Sequence, residues 1–274
     1  MSVEWSSKFV IIEVVLTDFK QTFEYSIVTA QDTHYWLQRW REGRTGFHQP
    51  EVNPYLRKHW DSLALPSAAD VFVPLCGKSL DLLWLSRRCG SVTGVEISEQ
   101  ALREFFHEHG LARVSHPPST ATPLHRLATH GGEEGGLDAK KTSPAAHDLW
   151  CCRNLRLYRG DFFTLQPEQL PALDLVYDRA ALVALDQALR RRYVHKLLTL
   201  LQPHTRIFLI TLSYPQQAMP GPPFSVELDE VQRLFGHRFE VSSLSTGNVI
   251  EDHPRFADKG LQRLQESALL LSPK

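Results

Sequence analysis

No stretch of this 274-residue chain approaches the roughly 20 consecutive apolar residues that cross a bilayer. The most apolar early segment, Phe9 to Leu16, carries Glu13, and no positive leader precedes it. Neither a membrane helix nor a signal peptide is expected. Charge of one sign is also lacking: 30 Lys and Arg stand against 31 Asp and Glu, for a net charge of −1. No basic surplus recommends nucleic acid or an anionic membrane as a partner. Cysteine is scarce. Cys76, Cys89, Cys151 and Cys152 show no CxxC and no Cys/His zinc spacing, and the 13 histidines form no HExxH. A disulfide framework and a zinc site are not expected. The adjacent pair Cys151–Cys152 reads as reduced thiols, which fits the cytoplasm.

What is present centres on Asp70 to Ser98, DVFVPLCGKSLDLLWLSRRCGSVTGVEIS. The apolar run Val71 to Leu75 suits a buried strand. Cys76-Gly77-Lys78 turns the chain, Leu80 to Leu85 has a helical pattern, and a second apolar run ends in Glu96. This is a βαβ unit with parallel strands. Gly77 permits a sharp turn and a close backbone approach to a ligand. Glu96, at the carboxyl end of its strand, is placed to accept from both hydroxyls of a ribose. Its plainer reading is an acid at a helix N-terminus. One glycine stands where a dinucleotide cofactor wants GxGxxG to hold its pyrophosphate. S-adenosylmethionine has no phosphate, so the single glycine favours it over the NAD(P) of an oxidoreductase.

Around that unit the pattern alternates. Residues 1–30 read as an N-terminal extension with some mobility. Thr33 to Trp40 is helical, with Trp36 and Trp40 on one face. With Phe47 after the turn Gly43–Gly46, these rings read either as a flap sealing the core or as a lid over a ligand. A helix follows from Tyr55 to Trp60, and another over Glu99 to His109 with Ser98 as its cap. Residues 115–149 hold Pro117-Pro118, Gly131-Gly132 and Gly135-Gly136 with little apolar periodicity, and read as a loop-rich insertion. A strand from Leu155 ends at Gly160-Asp161; Asp161 is placed to accept from an adenine amino group and Phe162 to pack on the base, or Asp161 simply caps. The next strand ends in Asp178-Arg179, either a crevice pair or a structural ion pair. Leu189 to Leu201 is a helix whose Arg190, Arg191 and Arg192 read as a solvated face. Arg206 to Leu212 is a strand, and Pro220 to Phe224 a rigid turn that follows it. Late strands are expected at Phe239–Leu244 and Ala268–Leu271. The count is about seven strands alternating with helices, in a doubly wound α/β sheet with a terminal hairpin.

Taken together, these stretches resemble the thiopurine S-methyltransferase family of class I S-adenosylmethionine-dependent methyltransferases. The resemblance rests on W-x3-W-x2-G-x-T-x-FH (Trp36 to His48), VFVPLCGKSLDLLWL (Val71 to Leu85), GVEIS (Gly94 to Ser98), YDRAALVAL (Tyr177 to Leu185), LSYP with PGPPF (Leu212 to Phe224) and RLFG (Arg233 to Gly236). It implies a seven-stranded, mostly parallel Rossmann-like sheet in a single domain over residues 31–274. It implies S-adenosylmethionine as cofactor, with S-adenosylhomocysteine as product, contacted by Trp36, Trp40, Phe47, Leu75, Glu96, Asp161, Phe162 and Arg179. It implies an aromatic or heterocyclic thiol as acceptor, bordered by Phe47, Arg179, Pro222 and Pro223, with Arg179 stabilising thiolate or thione character. Nothing in the sequence requires more than a monomer.

Overall fold

A computed structural model describes residues 33–114 and 147–274. They fall into two compact units, one ending at Thr45 and one running from Gly46 to Lys274. The expected extension 1–30 lies outside the described residues, as does 115–146 of the expected insertion.

In the first unit, helix α1 (33–41) carries Trp36 and Trp40. Trp40 is buried and Trp36 half-buried. The Tyr35 ring meets Trp36 edge-on at 5.2 Å, and the Arg39 guanidinium lies 5.8 Å from the Tyr35 centroid.

The second unit is a sheet with helices on both faces. In chain order it runs α2 (Pro54–His59), β1 (Asp70–Val73), α3 (Leu80–Ser86), β2 (Ser91–Glu96), α4 (Glu99–Glu108), β3 (Asp148–Cys152), β4 (Leu155–Arg159), β5 (Leu175–Arg179), α5 (Gln187–Thr199), β6 (Arg206–Ser213), α6 (Leu228–Phe235), β7 (Phe239–Asn248), α7 (Pro254–Ala257) and β8 (Gln265–Pro273). The sheet order is β3-β4-β2-β1-β5-β6-β8-β7. The five central strands are mutually parallel. β3 joins one edge antiparallel, and β8 and β7 close the other as an antiparallel pair.

Burial explains why the centre forms. Val71, Phe72 and Val73 of β1 are all buried, as is every residue of β2, as expected for parallel strands covered on both faces. On one face Phe72, Val176, Ile207 and Leu209 meet Leu189, Tyr193 and Leu197 of α5 and Val231 and Phe235 of α6. On the other, Val71, Val73, Tyr177, Phe208 and Ile210 meet Leu56, Leu82, Leu85, Leu102 and Phe105 of α2, α3 and α4. Caps fix the helix starts. The Asn53 side chain accepts from Tyr55 N and Leu56 N, with Pro54 opening α2; Ser79 and Ser98 cap α3 and α4.

The structure corrects three expectations. The sheet has eight strands among the described residues, not seven, because order returns at Asp148 rather than Leu155. The missed hairpin turns at Arg153-Asn154, where Arg153 takes φ +54° without a glycine to signal it. The arginine run of α5 is a solvated face only in part: Arg191 is exposed and Arg192 half-buried, but Arg190 is 3% exposed, pairs with Glu230 at 2.6 Å and donates to Leu185 O at 2.9 Å. Finally, β7 and β8 are longer than expected. A register shift between Ser243 and Ser245 leaves Leu244 without a partner, and this bulge hides the alternation of β7.

Candidate functional site

The carboxyl ends of the parallel strands carry the chemistry. β1 runs into a turn in which Leu75 and Gly77 both adopt left-handed backbone, φ +45° and +54°. Gly77 takes this at no steric penalty, whereas Leu75 is strained. The turn is held on three sides. Cys76 N donates to Val95 O at 3.0 Å. Gly77 N donates to Glu96 Oε2 at 2.9 Å. The Lys78 ammonium pairs with Glu104 and Glu108 of α4 at 2.8 and 2.7 Å. Lys78 is therefore a clamp between the turn and α4. The Cys76 thiol is buried and pushed well up by desolvation, so it is chemically quiet.

Glu96 is 5% exposed. Its other oxygen, Oε1, accepts from Ser98 N at 2.7 Å. Burial pushes the carboxyl up to about 7, against the backbone donors of Ser98, Gly77 and Ile97. Each oxygen thus has one fixed donor and lone pairs to spare, which suits a vicinal diol. The plainer reading of Glu96, as an acid favouring a helix N-terminus, also holds in part, since it receives Ser98 N just ahead of α4.

The end of β4 brings Gly160 and Asp161 beside the end of β2, with Gly160 N donating to the backbone carbonyl of Glu96 at 2.9 Å. Asp161 Oδ1 accepts from Phe163 N at 2.9 Å and caps the 3₁₀ turn Phe162–Thr164. One oxygen is therefore committed to the cap. Phe162, expected to pack on the base, spends its ring elsewhere. It is 1% exposed and its ring packs on Tyr193 at 4.9 Å, inside the core.

β5 ends in Asp178 and Arg179, which are not an ion pair. Strand alternation sends them to opposite faces. Asp178 is fully buried, accepts from Tyr193 OH at 2.6 Å and from Leu182 N at 3.1 Å, and is pushed up to about 6 by burial. It pins the turn that follows. Arg179 shares the other face with Tyr177, and among the described residues its guanidinium has no carboxylate within ion-pair reach. Ala180, immediately after, sits at φ +66°, a second strained position at this edge of the sheet.

The remaining candidates lie in loops. Phe47 is half-buried. Its neighbour His48 is pushed down by burial and by the Lys78 charge, with a further contribution from Arg179. Pro222 and Pro223 are half-buried after β6, anchored where Tyr214 OH donates to Pro223 O at 2.6 Å and Phe224 N to Val183 O at 2.7 Å. Trp36 and Trp40 belong to α1 in the first unit. Sequence reasoning singled out neither His48 nor Glu266, a buried acid on β8; Glu266 lies in the start of β8, ahead of the apolar run Ala268–Leu271 that marked the strand.

Comparison with known proteins bears on the family and the fold. The thiopurine S-methyltransferase family profile matches residues 31–133 and 127–274, the two pieces meeting inside the expected insertion. A thiopurine S-methyltransferase of Nitrosospira multiformis is 43% identical over 237 residues, 86% of this chain and 96% of that protein. One of Pseudomonas fluorescens is 44% identical over 232 residues, 85% and 94%. A solved SAM-dependent methyltransferase of Anabaena variabilis has TM-score 0.55 at 14% identity, over 88% of this chain and 95% of that one. The 1,6-didemethyltoxoflavin-N1-methyltransferase of Burkholderia thailandensis, solved with S-adenosylhomocysteine, has TM-score 0.52 at 14% identity, covering 90% and 89%. These structures show the class I methyltransferase fold.

Proposed function

Because the chain belongs to the thiopurine S-methyltransferase family, we propose that it moves a methyl group from S-adenosylmethionine to the sulfur of an aromatic or heterocyclic thiol such as a thiopurine. The observation that carries this reading is that Glu96, buried and held by backbone donors at the end of β2, stands at the same edge of the sheet as Arg179 at the end of β5, with β1 between them and, among the described residues, no ion pair to Arg179.

The residues fit the cofactor. A buried carboxylate with lone pairs to spare suits a ribose diol, and a turn with one glycine suits a group without phosphates. Glu96 binds the ribose, Asp161 takes the adenine amino group with its uncommitted oxygen, and Leu75 and the backbone near Phe162 wall the base. When bound, S-adenosylmethionine supplies a methyl carbon already activated by its sulfonium. The protein's work is then mostly alignment. Phe47, Pro222 and Pro223 border a flat acceptor. Arg179, which stays protonated, stabilises negative charge on its sulfur. The protein acts as a cytoplasmic monomer on small molecules, with no nucleic-acid or membrane partner.

The test is titration calorimetry with S-adenosylhomocysteine and NADH, followed by turnover with 6-mercaptopurine. Binding of the first only, with S-methylated product, is expected. A folded sample that ignores S-adenosylhomocysteine would overturn the proposal.

A further inference from the structure

Glu266 lies on β8, between β6 and β7, and opposite Leu212 and Gly247. It shares a strand face with Ala268, two residues on. Ala268 pairs with Ile210, and Ile210 with Arg179. Glu266 and Arg179 therefore rise from the same face of the sheet, one row apart, at the edge where the acceptor is expected. Ala268, Ile210 and Tyr177 belong to a single core cluster on that face.

The carboxylate is unusual in what it lacks. Glu266 is 7% exposed, yet among the described residues its side chain makes no hydrogen bond and no ion pair. Tyr55 OH reaches only the backbone carbonyl of Glu266, at 3.4 Å. Buried acids are ordinarily paired or hydrogen-bonded. Here an unpartnered acid and an unpartnered guanidinium share a face without closing on each other.

We propose that Glu266 is a second catalytic residue, which accepts the ring N–H of a heterocyclic thione while Arg179 faces the sulfur. This rests on the S-methyltransferase reading above and narrows the acceptor to the N–H–C=S class. In the reaction the Glu266 carboxylate takes the ring N–H proton, and the N–H pair passes through the N–C=S unit to the sulfur, where Arg179 faces the thiolate charge that results. That sulfur forms its bond to the methyl carbon as the carbon's bond to the cofactor sulfonium breaks, and the pair leaves on the cofactor sulfur as a neutral thioether. The proton on Glu266 then passes to water.

The surroundings poise Glu266 for this. Burial pushes its carboxyl up to about 7, Arg179 pulls it down, and Asp252 and Asp81 push it up. Also titratable on this side are Tyr55 and His59 of α2, Tyr177 of β5, and His48 and His253, which sense the Arg179 charge. Burial raises the two tyrosines, with Glu266 a further cause in each, and lowers the three histidines. A base titrating near neutrality is well matched to general-base catalysis.

The test compares wild type and Glu266→Gln on two acceptors. Pyridine-2-thione keeps its ring N–H through the neutral range. Para-nitrobenzenethiol has no ring nitrogen and is already ionised there. The variant is expected to lose about 100-fold in kcat/KM on the thione and to stay within about 3-fold on the benzenethiol, with S-adenosylhomocysteine affinity unchanged by calorimetry. Equal losses on both acceptors, or no loss on either while wild type turns over both, would overturn the role of Glu266. Wild type that binds S-adenosylhomocysteine but methylates neither acceptor would instead overturn the S-methyltransferase reading. If the variant does not fold, the wild-type pH profiles decide. An acid limb near neutrality for the thione alone supports the proposal, and coincident profiles overturn it.

Discussion

In the proposed reaction Arg179 serves the acceptor and Glu96 the cofactor, and substitution separates them. On that proposal Arg179→Ala removes a fixed positive charge from where negative charge collects. Turnover of a thiopurine is expected to fall by about 100-fold or more, and Arg179→Lys to recover only part, since a point charge does not replace the planar fork. Steady-state kinetics beside S-adenosylhomocysteine calorimetry measures this; full turnover in both variants would rule the role out. Glu96→Ala is expected to weaken cofactor binding at least tenfold, about 1.4 kcal/mol, while leaving the acceptor wall alone. These residues were legible as a glycine turn followed by an acid and as a charged strand end. The sequence could not say that Asp178 and Arg179 part company, because only the strand phase decides which faces the core. Nor could it say that Phe162 is spent in the core against Tyr193.

Strands and helices carry constraints that single side chains do not. Gly94 is one: a Cβ there would stand 2.8 Å from Cys76 Sγ and 2.8 Å from Leu157 Cδ2. Gly94→Ala is expected to destabilise the fold by about 1–3 kcal/mol through overpacking. It also shifts the Cys76-Gly77 turn, so that cofactor affinity falls with stability; chemical denaturation and calorimetry on one sample check both. Arg190 is another. Arg190→Ala strands Glu230 and frees the Leu185 carbonyl, for an expected loss of about 3 kcal/mol, read by calorimetry as a melting temperature lower by roughly 5–10 °C. The two errors about secondary structure share a cause. The β3–β4 turn uses Arg153 where the usual signal is glycine, and Arg190 looked solvated because its partner lies 40 residues away on α6. Local pattern found the parallel βαβ units, whose apolar runs are continuous, and missed what only a distant segment completes.

At the scale of the molecule, three buried acids among the described residues are raised by desolvation: Glu96 and Glu266 to about 7 from 4.5, and Asp178 to about 6 from 3.8. Each binds its proton more tightly folded than unfolded. Their contribution to stability is therefore full below the unfolded values and is lost as pH rises through the folded ones. Without cofactor, stability is expected to fall as pH rises from about 5 to about 7, by up to about 1.4 kcal/mol per pH unit for each acid titrating, and the melting temperature with it. Glu266→Gln is expected to flatten the slope, which scanning calorimetry across that range reads directly. The parallel centre and its crevice were readable from alternating strand and helix signals. The antiparallel margins were not: one turns at Arg153 without a glycine, and at the other a bulge breaks the alternation of β7. That bulge has a consequence for how such a protein diversifies. With Leu244 unpartnered, Gly247 stands opposite Glu266, and the Tyr55 hydroxyl lies 3.1 Å from where a Cβ on Gly247 would be. Were Leu244 drawn into the ladder, Thr246 would take that place and bring a side chain with it. One inserted or deleted residue in this ribbon therefore re-indexes the floor beneath the acid, so lineages can explore new acceptors by changing strand length while every catalytic residue stays the same.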